Sequence, residues 1–333
     1  MNLTNLRQLL EDQPKYRLKQ VYEVIYKQLV NDWSEAINLP LALRQSLRQQ
    51  CPLEIKAVIF ESVNAEKAAI EFFDGKKAEC VLIRNRDGRR TVCVSSQIGC
   101  PIGCVFCATG GSGYQRNLTA EEIVEQVVFF ARKLKRENSR VDNVVFMGMG
   151  EPFLNTGNVL GAINLLNSQE GLNIGARSIS ISTIGVTEGI RQLAKFPLQV
   201  NLALSLHAPN DRLRDELVPL NKKYDIEKIW SALKYYLETT NRKIMIEYVM
   251  ISGINDSEQT ARELAALIDQ LPKKLVMVNL IPYNPTGKFK ASPLKQLELF
   301  KRILGKQGIE ATIRESPGRD ILGACGQLAR KRS

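Results

Sequence analysis

Residues 91–110 read Thr-Val-Cys-Val-Ser-Ser-Gln-Ile-Gly-Cys-Pro-Ile-Gly-Cys-Val-Phe-Cys-Ala-Thr-Gly. A β-branched run opens the stretch, and a polar loop with three cysteines follows it. The same grammar recurs downstream. NVVFMG (143–148) precedes Gly150-Glu151-Pro152, SISIST (178–183) ends in Ser182-Thr183, and VNLALS (200–205) leads into Ser205-Leu206-His207. IMIEYV (244–249) comes next, and LVMVNLI (275–281) runs into Pro282-Tyr283-Asn284-Pro285. Helical stretches lie between these runs, the clearest being Glu121 to Arg136. There Thr119 and Glu122 form a capping-box pair ahead of an apolar stripe. Further helices are expected near 159–166, 188–195, 226–237, 257–271 and 293–306. Six β-α units in succession predict a parallel sheet, doubly wound or closed towards a barrel. The polar and glycine motifs all fall beyond the C-terminal ends of strands, which is where a barrel gathers its active site. The expectation is an α/β fold with a partial (β/α)6 barrel.

The preceding residues follow other rules. Pro14 stands before an amphipathic stretch, Lys15 to Val30, and Pro40 before a second, Leu41 to Arg48. Then come short β-like runs, AVIFESV (57–63), AAIEFF (68–73) and ECVLI (79–83), with turn signals at Asp74–Gly75 and Asp87–Gly88. Three parts are expected: a helical module over 1–52, a small β extension over 53–91, and the barrel over 92–333.

Lys and Arg total 46 against 35 Asp and Glu, a formal charge of +11. This excess favours a polyanionic partner, nucleic acid above all. The basic residues are scattered: Lys15, Arg17 and Lys19; Arg84, Arg86, Arg89 and Arg90; Lys133, Lys135 and Arg136; Arg330, Lys331 and Arg332. Each group alone reads as a solvated face. No run of eighteen apolar residues predicts a membrane span, and the first twenty residues do not read as a secretory signal, so the expectation is a cytoplasmic protein without a membrane partner.

Seven cysteines, at 51, 80, 93, 100, 104, 107 and 325, include four within fifteen residues. That density argues for metal binding or redox chemistry rather than a disulfide framework. His207 is the single histidine, so no multi-histidine metal site can be built. Structural zinc usually takes two separated pairs of ligands, and no second pair is present. Cubane iron–sulfur clusters normally take four cysteines, so three leave one iron open. Cys100-x3-Cys104-x2-Cys107 resembles the radical S-adenosylmethionine (SAM) signature. Gly150-Glu151-Pro152 resembles the motif that holds the SAM amino group in that superfamily.

A narrower resemblance covers nearly the whole chain. CVSSQIGCPIGCVFCATG, NLTAEEIVEQV, VVFMGMGEP, ISTIGV, LSLHAPND and ACGQL occur in this order. Together they resemble the RlmN/Cfr family of radical-SAM adenine methyltransferases acting on 23S ribosomal RNA. The resemblance implies a [4Fe–4S] cluster on Cys100, Cys104 and Cys107, with SAM as cofactor. It places Phe106 against the SAM adenine, and Gly150, Glu151, Ser182, Ser205, Leu206, His207 and Asn284 among the SAM contacts. It implies three catalytic residues: Cys325 carries a methyl group, Cys93 attacks Cys325 later, and Glu79 is the general base. Cys51 and Cys80 match no role and read as structural.

The resemblance also implies a route. One SAM methylates Cys325, and a second yields a radical that activates the methyl group for addition to the adenine. Electron return, proton loss to Glu79 and attack by Cys93 then release the product with a Cys93–Cys325 disulfide, a transient bond that suits a cytosolic enzyme. Adenine C2 is the expected position, in 23S rRNA, with an anticodon-loop adenine of tRNA as a second candidate. An electron donor such as flavodoxin or ferredoxin and a monomeric state are expected too. Gly-Glu-Pro-Phe-Leu-Asn leans to the RlmN branch. Ser-Ile-Ser-Thr-Ile-Gly and Tyr-Asn-Pro-Thr lean to the C8-methylating Cfr branch, and residues 314–320 depart from both. The alternative from another class is a zinc-bearing RNA-binding protein without catalysis.

Overall fold

The computed structural model describes residues 1, 3 and 6–329. The basic group Arg330, Lys331 and Arg332 lies outside the described residues. Twelve strands are present among those described: β1 Lys56–Glu61, β2 Ala65–Glu71, β3 Lys77–Arg84, β4 Arg90–Cys93, β5 Gln97–Gly99, β6 Tyr114–Asn117, β7 Asn143–Phe146, β8 Ile179–Thr183, β9 Asn201–Ser205, β10 Ile244–Met250, β11 Val276–Pro282 and β12 Glu310–Ile313. The helices are α1 Leu6–Leu9, α2 Tyr16–Tyr22, α3 Leu41–Gln50, α4 Ala108–Gly111, α5 Ala120–Arg136, α6 Thr156–Asn167, α7 Thr187–Ala194, α8 Asp211–Leu217, α9 Ile226–Thr240, α10 Glu258–Ile268 and α11 Leu294–Lys306.

Ten strands form one sheet in the order β1-β2-β3-β4-β7-β8-β9-β10-β11-β12. The first three pairings are antiparallel, and from β4 to β12 every pairing is parallel. The order never reverses. Right-handed crossovers in an unreversed order place all the connecting helices on one face, which curls the sheet towards a barrel rather than a doubly wound layer. The predicted α/β partial barrel is therefore the fold. All six expected parallel strands are present, and β12 adds a seventh.

The β extension is continuous with the barrel, since β3 pairs with β4. The Asp74–Gly75 turn closes β2 onto β3, with Gly75 at φ 76°. Arg132 on α5 reaches back to the start of the β extension and donates to the Leu53 carbonyl at 2.8 Å. Trp33, fully buried, donates its indole N–H to the Cys51 carbonyl at 2.7 Å.

One expected helix differs. Over Lys15–Val30, α2 stops at Tyr22 and a π-helical turn covers Glu23–Lys27. The wider turn buries Val24, Ile25 and Tyr26 in succession.

Helix α5 carries the predicted cap. Thr119 Oγ1 accepts from the Glu122 amide at 3.2 Å, and Glu122 accepts from the Thr119 amide at 2.9 Å. Ile123, Val127 and Phe130 are fully buried. Truncating Phe130 to Ala is expected to cost roughly 3–5 kcal/mol. Packing at that depth makes α5 a fixed post for the loop after β4.

Candidate active site

Loops at the C-terminal ends of the parallel strands open into one cavity of ≈ 720 Å³. The loop after β4 carries Cys100, Cys104 and Cys107, and three sets of bonds place it. Gln126 of α5 accepts from the Ser95 amide at 2.8 Å and donates to the Ser95 carbonyl at 2.9 Å. Ser95 Oγ accepts from the Met149 amide at 2.8 Å, and the Ser96 amide donates to the Met149 carbonyl at 2.9 Å. Asn155 bridges the Ser96 and Leu118 carbonyls, both at 2.8 Å. The β5–β6 hairpin then presses Gly99 against Gly113. A Cβ at Gly99 would stand 1.7 Å from the Gly113 oxygen, so only glycine fits.

The three thiols line the cavity. Burial pushes Cys100 up to about 12 and Cys104 well above its usual range, with Cys107 adding to both. Burial keeps Cys100 and Cys104 protonated, and bound iron would draw out the protons. Among the described residues, no three His, Cys, Asp or Glu side chains converge as a single-ion site. A cubane takes one thiolate per iron, so its ligands stand apart. The donor set fits such a cluster.

Opposite this loop, Gly150 sits at φ 97°. A Cβ there would meet Gln97 Cβ at 2.6 Å, which explains the glycine. Glu151 is buried and held from three sides, accepting from the Phe153 amide at 3.0 Å, Thr183 Oγ1 at 2.7 Å and the Ile184 amide at 2.8 Å. Burial raises its carboxyl to about 6 against these bonds. Ser182 and Ser205, on adjacent strands, share a hydrogen bond of 2.9 Å. The polar row continues across the sheet: Asn279 donates to Glu247 at 2.8 Å, and Thr312 donates to Asn279 at 2.8 Å.

His207 has left-handed backbone at φ 62°. Its carbonyl accepts from Asn255 at 2.8 Å, and its Nδ1 accepts from the Val249 amide at 3.1 Å. The proton is therefore on Nε2. Burial, aided by Arg214, lowers the imidazole to about 3, so the ring is neutral. Its edge meets Phe106 at 4.9 Å between centroids and 82° between planes. Leu206, fully buried, does not line the cavity and contributes backbone only: its amide donates to the Glu247 carbonyl at 3.1 Å.

The C-terminal segment closes the cavity. Cys325 is open to it, and Cys93 lines it from the end of β4. Enclosure raises both thiols, Cys93 to about 12, and Cys325 adds to the rise at Cys93. Asn284 donates to the Cys325 carbonyl at 3.0 Å and accepts from Arg319 Nε at 3.0 Å. Glu79 stands apart from the cavity lining. Its carboxylate pairs with Lys67 at 3.0 Å and accepts from the Ala329 amide at 2.8 Å.

Residues 94–265 match the model of the Radical SAM superfamily. The chain is 45% identical to a probable dual-specificity RNA methyltransferase RlmN of Dictyoglomus thermophilum, over 95% of this chain and 91% of that protein. It is likewise 45% identical to a protein of the same name from Thermotoga neapolitana, over 96% and 92%. The crystal structure of a radical SAM methyltransferase from Sphaerobacter thermophilus superposes with a TM-score of 0.93 at 42% identity, covering 99% of this chain and 98% of that one. The chain belongs to the RlmN family of radical-SAM RNA methyltransferases.

One expected feature of the RlmN/Cfr route is absent. Cys93 and Cys325 are both free thiols in the structure, not joined by the expected disulfide. Four further residues line or brace the cavity without having been read from the sequence. Glu247 and Arg314 line it 3.5 Å apart. Thr109 lines it too, and Arg214 braces it from behind, donating to the carbonyls of Leu206 at 3.1 Å and of Ile184. The lone acidic residue in Ile-Met-Ile-Glu-Tyr-Val-Met was the available signal for Glu247. The other three sit in ordinary polar surroundings and gave none. Among the described residues no helix is long and apolar enough to cross a membrane.

Proposed function

We propose that this chain methylates C2 of an adenine in 23S ribosomal RNA through a methylated Cys325, consuming two SAM molecules, with an anticodon-loop adenine of tRNA as a second substrate. One observation carries the reading: Cys93, Cys325 and the three-cysteine loop open into the same cavity. A zinc-bearing binding module has no use for two further thiols there.

Cys100, Cys104 and Cys107 would hold the cluster. When bound, it supplies the electron that splits SAM, donated by a flavodoxin or ferredoxin. The chain's own residues do the rest. Gly150 and Glu151 offer backbone and carboxylate acceptors to the SAM amino group. Ser182, Ser205 and His207 border the nucleoside, with Leu206 behind them holding the strand end through its backbone, Phe106 against the adenine and Asn284 beside the segment that bears Cys325. Neutral His207 presents an Nε2–H donor and adds no positive charge beside the sulfonium. Cys325 carries the methyl group. After one electron is returned, the ring proton is lost, with Glu79 as the assigned base from behind the cavity lining. Cys93 then attacks Cys325 to free the product as the two sulfurs join in a disulfide. The target adenine must leave its stack to enter a cavity this enclosed. A soluble, monomeric, cytoplasmic enzyme suits this chemistry.

The names of the relatives support the C2 branch, as does Gly-Glu-Pro-Phe-Leu-Asn. Mass spectrometry of digested product RNA tests it. The expected product is 2-methyladenosine with little 8-methyladenosine. Predominant 8-methyladenosine would move the chain to the Cfr branch, and absence of any methylated adenosine from both RNAs would overturn the proposal.

A further inference from the structure

The residue after the third cluster cysteine begins a contact that the site described above leaves unexplained. The Ala108 amide donates to the Gly326 carbonyl at 2.8 Å. Thr109 Oγ1 donates to the Leu328 carbonyl at 2.9 Å, joining residues 219 apart in sequence. Thr109 is 3% exposed and Leu328 5%, so neither bond competes with bulk water. The two carbonyls are two residues apart in a turn-rich segment, where Gly326 takes left-handed backbone at φ 81°. The two donors are consecutive at the start of α4, where amide donors have no partner within the helix. The cluster loop thus grips the stretch that immediately follows Cys325. On its other side the loop is tied to the loop that follows β11, where Thr286 Oγ1 donates to the Phe106 carbonyl at 3.3 Å.

We propose that Thr109 is a positioning residue: with the Ala108 amide it clasps residues 326–328 to the cluster loop and so sets where the Cys325 thiol stands relative to Cys107. The inference rests on the reading of Cys325 as methyl carrier. A carrier that reacts with SAM and then with RNA must hold its sulfur to within an ångström or so, because small misplacements cost large factors in rate. Asn284 restrains the same segment at the Cys325 carbonyl and Glu79 at the Ala329 amide, but neither stands on the cluster loop. The clasp is what registers carrier and cluster to each other. Without the hydroxyl, the buried Leu328 carbonyl loses its donor and the segment opens more often, by roughly tenfold for one buried hydrogen bond.

The test compares Thr109→Val, which keeps the shape and removes the hydroxyl, with Thr109→Ser, which keeps the hydroxyl, in anaerobic cluster-loaded protein. Amide hydrogen exchange over residues 324–329 should quicken by roughly tenfold in the valine variant and return to wild type in the serine variant. Iron content should be unchanged, while 5′-deoxyadenosine formed per methylated adenine should rise in the valine variant alone. Wild-type exchange and coupling in Thr109→Val would overturn the proposal. So would loss of iron in step with loss of product, since Thr109 would then serve the cluster loop itself. If wild-type Cys325 never acquires a methyl group, the functional reading fails, and the exchange comparison still decides whether Thr109 holds the segment.

Discussion

Lys67 and Glu79 form an ion pair at 3.0 Å on neighbouring strands, and the lysine side chain is only 4% exposed. The residue that the family resemblance marks as general base is thus also the counter-ion of a buried ammonium. The two roles make different predictions. Glu79→Ala strands Lys67 and should cost about 3–5 kcal/mol, read by urea unfolding. Glu79→Gln with Lys67→Met removes both charges and should recover most of that stability. If Glu79 takes the ring proton, the double variant stays inactive in single-turnover assays while folding normally. Restored turnover would make Glu79 an anchor for the C-terminal segment and nothing more.

The cysteine loop predicts a metal count. Protein reconstituted anaerobically should bind about four irons and turn brown. Cys104→Ala should lose both the colour and SAM cleavage. Stoichiometric zinc without iron, in protein purified anaerobically, would restore the non-catalytic alternative.

Cys93 and Cys325 should fail differently. Cys325→Ala removes the carrier, so neither methylated RNA nor a covalent adduct should form. Cys93→Ala leaves the early steps and removes the thiol that releases the product. Protein should then remain joined to RNA as a shifted band that survives denaturant. The double variant should behave like Cys325→Ala, the non-additivity of groups acting in sequence. Normal turnover by Cys93→Ala, without adduct, would exclude its assigned role.

His207 predicts a pH dependence. Its folded value is about 3 because of burial and then Arg214, against 6.5 when free. Between those values the unfolded chain binds the proton and the folded chain does not. The neutral ring's contribution is therefore complete above pH 6.5 and is lost as pH falls towards 3. His207→Gln should flatten the slope of unfolding free energy against pH across that window by about one proton. An unchanged slope would mean that the ring is charged in the folded protein.

Where sequence reading stopped short, the reasons are local. The π-turn at Glu23–Lys27 shares its hydrophobic spacing with an ordinary helix, and only packing on the module core selects the wider turn. Strand β12 is only four residues, Glu-Ala-Thr-Ile, and it forms by pairing with the edge of β11. The β5–β6 hairpin is shorter still and depends on Gly99 closing on Gly113. Nothing local marks Glu79, which only the family resemblance singled out, because its partner Lys67 comes from the neighbouring strand.

The sequence by itself determined the order of strands and helices, because hydrophobic periodicity and caps act over a few residues. It also determined which residue types were on offer, since the Cys100–Cys107 spacing and Gly150-Glu151-Pro152 are local patterns. Only the tertiary structure decided which of them meet. Cys93 and Cys325 are 232 positions apart, and Thr109 reaches Leu328 across 219. Contacts of that separation arise from sheet curvature and strand register, which no short window of sequence encodes.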